Sequence, residues 1–452
     1  RTHHLKHRHL LTLLVSGTSF KTTGIMFVYI GSKDNKLGVL QLDDESGCQI
    51  GTLNVMQVVD EPLLPSPPER FFSRWSAKFT TPTTEWILLH PQMDLLYVFV
   101  GFMSLGESLV TTYHVNRATG ELSKMGVCPT GGLQVSYATF SPDRSLLVVC
   151  HHNDGQLSFF DCNKNGGVLE EPIRVIKTPE IRPGTKCTDY PHCLPSLYHC
   201  QYTPDGKFLL TVDCSTQSRI WMYPVDEHGL VLSPTPTSHL KAKPIQSPPG
   251  ALTSLVTTQI FQSPGRMRRV VFHPNGRYIY LLFESHSVIQ VYEYANGRIL
   301  ADCLQEIPSI DPSFFDRTLP PWKQTMAGMA TNMASELVAT EEGLWVSNRG
   351  LLPLRGVGRA ENSIRCFDYQ DKGARLVAKT CVDTRGPIRH FLLPPTTPGT
   401  TTLMSGTNTA DPGVIEIFTV TTNSGEIKKK GEIVTGLDTL CLLALPEDIR
   451  HL

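Results

Sequence analysis

The sequence predicts an all-β fold, a seven-bladed β-propeller of four-stranded antiparallel blades, and three observations predict it. First, one strand–turn–strand unit recurs: "YATFSPDRSLLVV" from Tyr137, "HCQYTPDGKFLLTVD" from His199 and "RRVVFHPNGRYIYLLFE" from Arg268. Looser copies start at Trp86, Ser335 and Arg389, so six units follow one another at intervals of about 50 to 70 residues. Second, apolar alternation of period two is common, while helical periodicity is nearly absent. Third, "FVYIGSKDNKLGVLQL" near the N-terminus and "LDTLCLLAL" near the C-terminus are strand-like segments outside the six units. Joined in one sheet they supply a seventh blade and close the ring, which removes exposed sheet edges.

Each part of the unit has a local cause. Proline fixes φ at the start of the turn, Asp or Asn bonds its own backbone two residues on, and Gly supplies a left-handed position. The flanking residues are β-branched or aromatic, as a pleated, half-buried surface favours. A polar loop follows, then a third strand ending in aromatics, as in "LSFF", "IWMY" and "IQVY". Pro-rich or polar insertions at 57–84, 165–197, 233–265 and 304–334 read as surface loops, because the repeat resumes after each. Residues 26–452 are therefore expected to form a single domain. Residues 1–25, basic and without an acid, are expected to be a disordered extension, with translation starting at Met26.

Composition narrows the function. With 41 Lys and Arg against 42 Asp and Glu, no global field favours nucleic acid or a membrane surface. The "IKKK" run at 427–430 reads as the solvated start of a strand. "HLLTLLVSG" is too short to span a bilayer. Its basic flank resembles a signal or transit segment, and the C-terminal "RHL" matches a peroxisomal tripeptide only in its last two positions. The expectation is a cytoplasmic protein, monomeric or weakly self-associating, with organelle targeting by residues 1–25 as the alternative. The 12 cysteines lack paired spacing, as buried free thiols do. Cys187, His192, Cys193, His199 and Cys200 cluster in sequence, but their spacing fits no common zinc framework, and no metal or cofactor is expected.

The repeat also locates polar residues. In each unit the Pro-Asp/Asn turn lies at one face of the disc, so both outer ends of the hairpin lie at the other. Unit by unit these ends carry His151 and His152, His199, Arg268 with Glu284, Glu336 with Asn348 and Arg349, and Arg389 with His390. If the hairpins are the inner strands, these side chains converge on the central channel. Arginines facing one concavity repel each other unless carboxylates or an anionic ligand offset them, which suits a negatively charged small molecule.

At these residues the chain resembles the seven-bladed propeller lactonases, which include bacterial-type 6-phosphogluconolactonase and the fungal carboxy-muconate lactonizing enzyme. The resemblance runs from about residue 27 to the end, insertions excluded, and is best over "FSPDRSLLVV", "YHCQYTPDGKFLLTVD", "RRVVFHPNGRYIYLLFE" and "VSNRG…NSIRCF". It implies that His199, Arg268, Glu284 and Arg349 are catalytic, with His199 or Glu284 as base and the arginines holding an anion or polarising a carbonyl. Glu336 and Arg389 match further family positions, and Asn348, His151 and His152 join them as candidate substrate-binding residues. Three departures stand out: the family's "PRH" is Met267-Arg268-Arg269 here, its "NY" is His151-His152-Asn153, and an insertion follows "SNRG".

The implied activity is metal-independent hydrolysis of a sugar-acid lactone such as 6-phosphogluconolactone, in carbohydrate metabolism. Two alternatives remain: a muconate-type cycloisomerase, whose arginines would hold carboxylates, and a non-catalytic propeller that binds other proteins. No G-x-S-x-G, H-E-x-x-H or P-loop pattern points to another hydrolase or to nucleotide binding.

Overall fold

Seven innermost strands stand side by side around one axis: Thr83–Leu89, Val135–Phe140, Leu197–Tyr202, Met267–Phe272, Asn332–Thr340, Ile388–Leu392 and Thr439–Leu445. They open blades 1 to 7, numbered here in that order. A computed structural model describes residues 25–32, 35–43, 49–58, 82–102, 106–178, 196–214, 218–232, 257–260, 266–311, 332–350, 361–393, 400–407, 413–421, 424–437 and 439–445. Of the expected extension 1–25, only Ile25 lies within the described residues, where it begins a strand. Each blade is an antiparallel sheet of four strands, with a two-residue strand, Arg298–Ile299, added in blade 4.

Blade 7 is assembled from both ends of the chain. Its innermost strand, Thr439–Leu445, pairs with Ile25–Ser32, and the strands Lys36–Asp43 and Gln49–Gln57 complete the sheet. The strand pairing that the two terminal segments suggested is therefore present, and it joins the last blade to the first.

Packing explains why the second strand of a blade reads as a continuous apolar run. "LLVVCH" (146–151) and "YIYLLF" (278–283) are buried at every position. Both faces of such a strand are covered by neighbouring blades, so alternation is lost. Leu210, Ile220, Met267 and Phe283, for example, share the core between blades 3 and 4. A polar latch recurs at three blade junctions. The hydroxyl of Tyr29 donates to the Gly120 carbonyl at 3.1 Å, Tyr97 to Gly167 at 2.7 Å and Tyr280 to Gly373 at 2.8 Å.

The turns follow the chemistry of their residues. Asp143, Asp205 and Asn275 each accept from the amide two residues on, at 3.0, 3.2 and 2.9 Å. Gly206 and Gly276 then adopt φ of 67° and 71°, where a side chain would be strained.

Outer strands are where the sequence misleads. Arg174–Lys177, Thr257–Ile260 and Gln305–Pro308 are the outermost main strands of blades 2, 3 and 4, yet all three fall in segments expected to be surface loops. Arg174–Lys177 and Gln305–Pro308 stay partly exposed, so they carry little of the apolar signal that marks inner strands. The "IKKK" run does begin such a strand, Ile427–Val434, with its three lysines exposed.

Candidate functional site

Every innermost strand is interrupted by a bulge near its start. The register shifts fall between Thr84 and Trp86, Val135 and Tyr137, Leu197 and His199, and Met267 and Arg269. They recur between Ala334 and Leu337, between Ile388 and Phe391, and in blade 7 opposite Gly31 and Ser32. In a regular strand, consecutive side chains point to opposite faces. A bulge re-aims one of them, and here pairs of consecutive residues reach the channel together. The result is two layers of side chains across the axis.

The deeper layer is a closed floor. Arg269 makes a two-pronged pair with Glu336, Nε to Oε1 at 2.9 Å and Nη2 to Oε2 at 2.8 Å. The same guanidinium lies 4.7 Å from the Tyr137 ring centre and 5.4 Å from that of Trp86, across the axis. Trp86 packs on Tyr137 at 4.5 Å and on the edge of His390 at 5.3 Å, while Tyr137 packs on His199 at 4.2 Å. Burial, with Arg269 beside it, keeps His199 well below its ordinary pKa, hence neutral. Burial likewise brings His390 down to about 4. The Nδ1 of His199 is buried and has no hydrogen-bond partner among the described residues.

Above the floor lies a cationic cup. Arg268 Nη1 donates to Glu284 Oε1 at 2.6 Å and to the Tyr198 hydroxyl oxygen at 2.9 Å, and its Nε donates to the Ser335 carbonyl at 2.8 Å. Arg349, from blade 5, donates through Nη2 to the same Glu284 oxygen. Burial alone would raise the Glu284 pKa, but Arg268, Arg349 and Arg266 overcome it and hold the carboxyl below its usual range. The Arg349 guanidinium is brought down to about 10 by burial and by Arg268, and its buried Nε has no partner among the described residues. His152 stands edge-on to Tyr198 at 4.9 Å. Arg389 is close enough to act electrostatically on Arg349, Tyr198 and Glu85. Burial opposes ionisation of Tyr198, but Arg268, Arg389 and His152 outweigh it and lower the phenol's pKa.

The chemistry follows from this inventory. Four arginines act on the cup, Arg268 and Arg349 by direct contact with Glu284 and Arg266 and Arg389 through their charge, against two carboxyls, Glu284 and Glu85. Guanidinium groups so placed have the chemistry to bind an anion and to stabilise negative charge that develops on an oxygen. Among the described residues no group of three or more His, Cys, Asp or Glu is placed to hold a metal. Of the sequence cluster weighed for zinc, Cys187, His192 and Cys193 lie outside the described residues, and His199 and Cys200 are consecutive on one strand.

The model of the family described as "Lactonase, 7-bladed beta-propeller" matches residues 72–444. The chain belongs to the seven-bladed β-propeller lactonase family. Among solved structures, a Bacteroides fragilis protein assigned provisionally as a 6-phosphogluconolactonase aligns with a TM-score of 0.63 at 17% identity, over 95% of this chain and 100% of its own. The Pseudomonas aeruginosa periplasmic gluconolactonase aligns at 0.64 and 15%, over 94% and 100%. At such identities the likeness is one of fold. An uncharacterised Staphylococcus aureus protein is 24% identical over 271 residues, which is 59% of this chain and 63% of the relative. The match thus spans under two thirds of that relative's length.

Within this lactonase fold, the residues singled out in the sequence separate into three groups. Arg268, Glu284 and Arg349 meet directly, and His152 and Arg389 join them in the cup. His199 and Glu336 belong to the floor beneath. His151 and Asn348 lie elsewhere. The His151 ring sits between Thr130 Oγ1 at 3.0 Å and the Gln156 carbonyl at 3.3 Å, covered by Gly132, and burial lowers it to about 4. Asn348 is held by Ser309 at 2.8 Å and Ser363 at 3.2 Å inside its blade. Both corrections have one cause: strand alternation turns His151 and Asn348 away from the axis when His152 and Arg349 face it.

Glu85, Tyr198, Arg266 and Arg269 were missed as site residues, though a signal for the first two exists, shared with Arg268. The turn prolines Pro91, Pro204 and Pro274 each stand six residues after Glu85, Tyr198 and Arg268. Counting back from the turn rather than forward from the first apolar residue aligns the bulged positions.

Proposed function

We propose that this lactonase-family protein is a hydrolase that opens a sugar-acid lactone bearing an anionic group, in the manner of a 6-phosphogluconolactonase. The observation that carries the proposal is the imbalance of the cup: four arginines act on it against two carboxyls, Glu284, which two of them already hold, and Glu85, which none of them clamps. An anionic substituent offsets the surplus, and Arg349, partly open to solvent with its Nε unpartnered among the described residues, is the natural first contact. Arg389 and Arg266 complete the anion site. Arg268, fixed by Glu284, Ser335 and Tyr198, is oriented to polarise the lactone carbonyl and stabilise the oxyanion. Glu284 is an anchor for the arginines. Its lowered pKa makes it a weak base.

In this reading guanidinium groups carry the developing charge, so the reaction runs without a metal and is insensitive to chelators. The test is a lactonase assay on 6-phosphogluconolactone and on unphosphorylated gluconolactone, with Arg349→Ala beside the wild type. The expected result is hydrolysis well above the spontaneous rate, a preference for the phosphorylated substrate, and loss of that preference in the variant. No rate above background on either lactone would refute the reading. Turnover of carboxy-cis,cis-muconate alone would assign ring closure instead.

A further inference from the structure

We propose that Glu85 is the proton-transfer residue of this site, taking a proton from the water that attacks the lactone carbonyl and delivering it to the departing ring oxygen. The inference rests on the lactonase reading above.

Glu85 occupies the bulge of blade 1, the position that Arg268 holds in blade 4, so its carboxyl is carried to the same channel. It is buried, at 3% exposure. Oε1 accepts from the Thr83 hydroxyl at 3.3 Å, whereas Oε2 has no hydrogen-bond partner among the described residues. A buried carboxylate oxygen left unpaired costs free energy, so a fold that keeps one needs a reason to. Gly101, on the adjacent strand, preserves the space: a Cβ there would lie 2.2 Å from Oε2.

The groups that face this carboxyl come from three other blades. Gln134, whose side chain hydrogen-bonds the carboxyl, and His152 approach from blade 2, Arg389 from blade 6 and the Cys441 thiol from blade 7. None clamps it as Arg268 and Arg349 clamp Glu284 or Arg269 clamps Glu336. Of the three carboxyls, Glu85 alone has no arginine hydrogen-bonded to it among the described residues, and its Oε2 is open to receive a proton. Burial pushes its pKa up to about 7, against the partial opposition of Arg389 and His152. That is the range in which a carboxyl serves as both base and acid at neutral pH.

The step balances without a co-reactant. As water oxygen bonds to the carbonyl carbon, one water proton passes to ionised Glu85 and the carbonyl electrons move to the oxyanion. Collapse of that intermediate breaks the ring C–O bond, and the ring oxygen takes the proton back from Glu85. The product is a hydroxy acid, and the residue returns to its ionised form.

The experiment measures the pH dependence of kcat/KM for wild type, Glu85→Gln and His152→Asn on 6-phosphogluconolactone, with spontaneous hydrolysis subtracted. Wild type should gain activity as pH rises through about 7. Glu85→Gln should lower kcat by a factor of about 100 or more, leave KM within about threefold, and abolish that limb. His152→Asn is needed because His152 is the other ionisable side chain facing Glu85 from blade 2. It should keep the limb. An independent readout is infrared difference spectroscopy of the ligand-free protein, where a protonated-carboxyl C=O band titrating near pH 7 should vanish in Glu85→Gln.

A Glu85→Gln enzyme with wild-type kcat and an intact limb overturns the proposal while the lactonase reading stands. So does a limb lost in His152→Asn but kept in Glu85→Gln. A wild type with no lactonase rate sinks the reading first, and Glu85's role with it.

Discussion

Arg268 and Glu284 sit at the two outer ends of one hairpin and are joined by a 2.6 Å hydrogen bond in a nearly solvent-free environment, each under 5% exposed. Arg349, from the next blade, shares the same carboxylate oxygen. Removing one member of a buried ion pair leaves the other charge uncompensated. Glu284→Gln strands two guanidiniums at once and should cost about 3–5 kcal/mol, read as a lowered denaturant midpoint at neutral pH. Because the folded Glu284 pKa is depressed, its contribution is full above the unfolded carboxyl pKa. The contribution fades as pH falls through the folded value, so the gap between variant and wild type should narrow in acid.

Glu85 has the opposite sign. Its folded pKa is raised from 4.5 to about 7, so between those values the folded state binds a proton that the unfolded state has lost. Stability should fall as pH rises through that window and level off above it, by up to about 3 kcal/mol. Glu85→Gln cannot titrate, so its stability relative to wild type should improve as pH rises from about 5 to about 8. Parallel melting curves at the two pH values, identical in slope for both proteins, would contradict this.

Anion recognition should be separable from chemistry at Arg349. Inorganic phosphate should inhibit lactone hydrolysis competitively, and Arg349→Ala should weaken that inhibition by about 10- to 100-fold, the worth of a hydrogen bond to a charged group. An inhibition constant unchanged in the variant would remove Arg349 from the anion site.

The floor beneath the cup is structural. Trp86 touches Tyr137, His390 and the Arg269 guanidinium, so Trp86→Ala should cost about 3–5 kcal/mol. Calorimetric melting is the measurement.

The latch between blades 4 and 5 allows a cleaner test. Tyr280→Phe removes only the hydroxyl that donates to the Gly373 carbonyl at 2.8 Å. The loss should be about 1 kcal/mol with kcat/KM unchanged, since the latch lies away from the cup.

How much of this was legible beforehand depends on how local each cause is. The Pro-Asp and Pro-Asn turns, the apolar inner hairpins and the closing pair of terminal strands follow from near-neighbour chemistry, and they appear where the residues imply. The outermost strands do not, because Arg174–Lys177 and Gln305–Pro308 are half-exposed edges whose residues resemble loops. For the site, the position of a hairpin end was enough to bring Arg268, Glu284 and Arg349 to one mouth. It was not enough to say which of two consecutive residues faces the axis, and so His151 and Asn348 were assigned to a channel they do not line.

The sequence by itself determined the seven-bladed ring, its closure by both chain ends, and the gathering of arginines at one face. Only the tertiary structure decided what those arginines do to their neighbours. Seven bulges lift successive residues into two layers, so Arg269 is spent on Glu336 in the floor while Arg268 and Arg349 share Glu284 in the cup. Glu85 is left with one oxygen unpaired among the described residues. Residues from four blades, far apart in the chain, set the field at that carboxyl. A pairing of that kind depends on distances and burial that no stretch of sequence encodes locally.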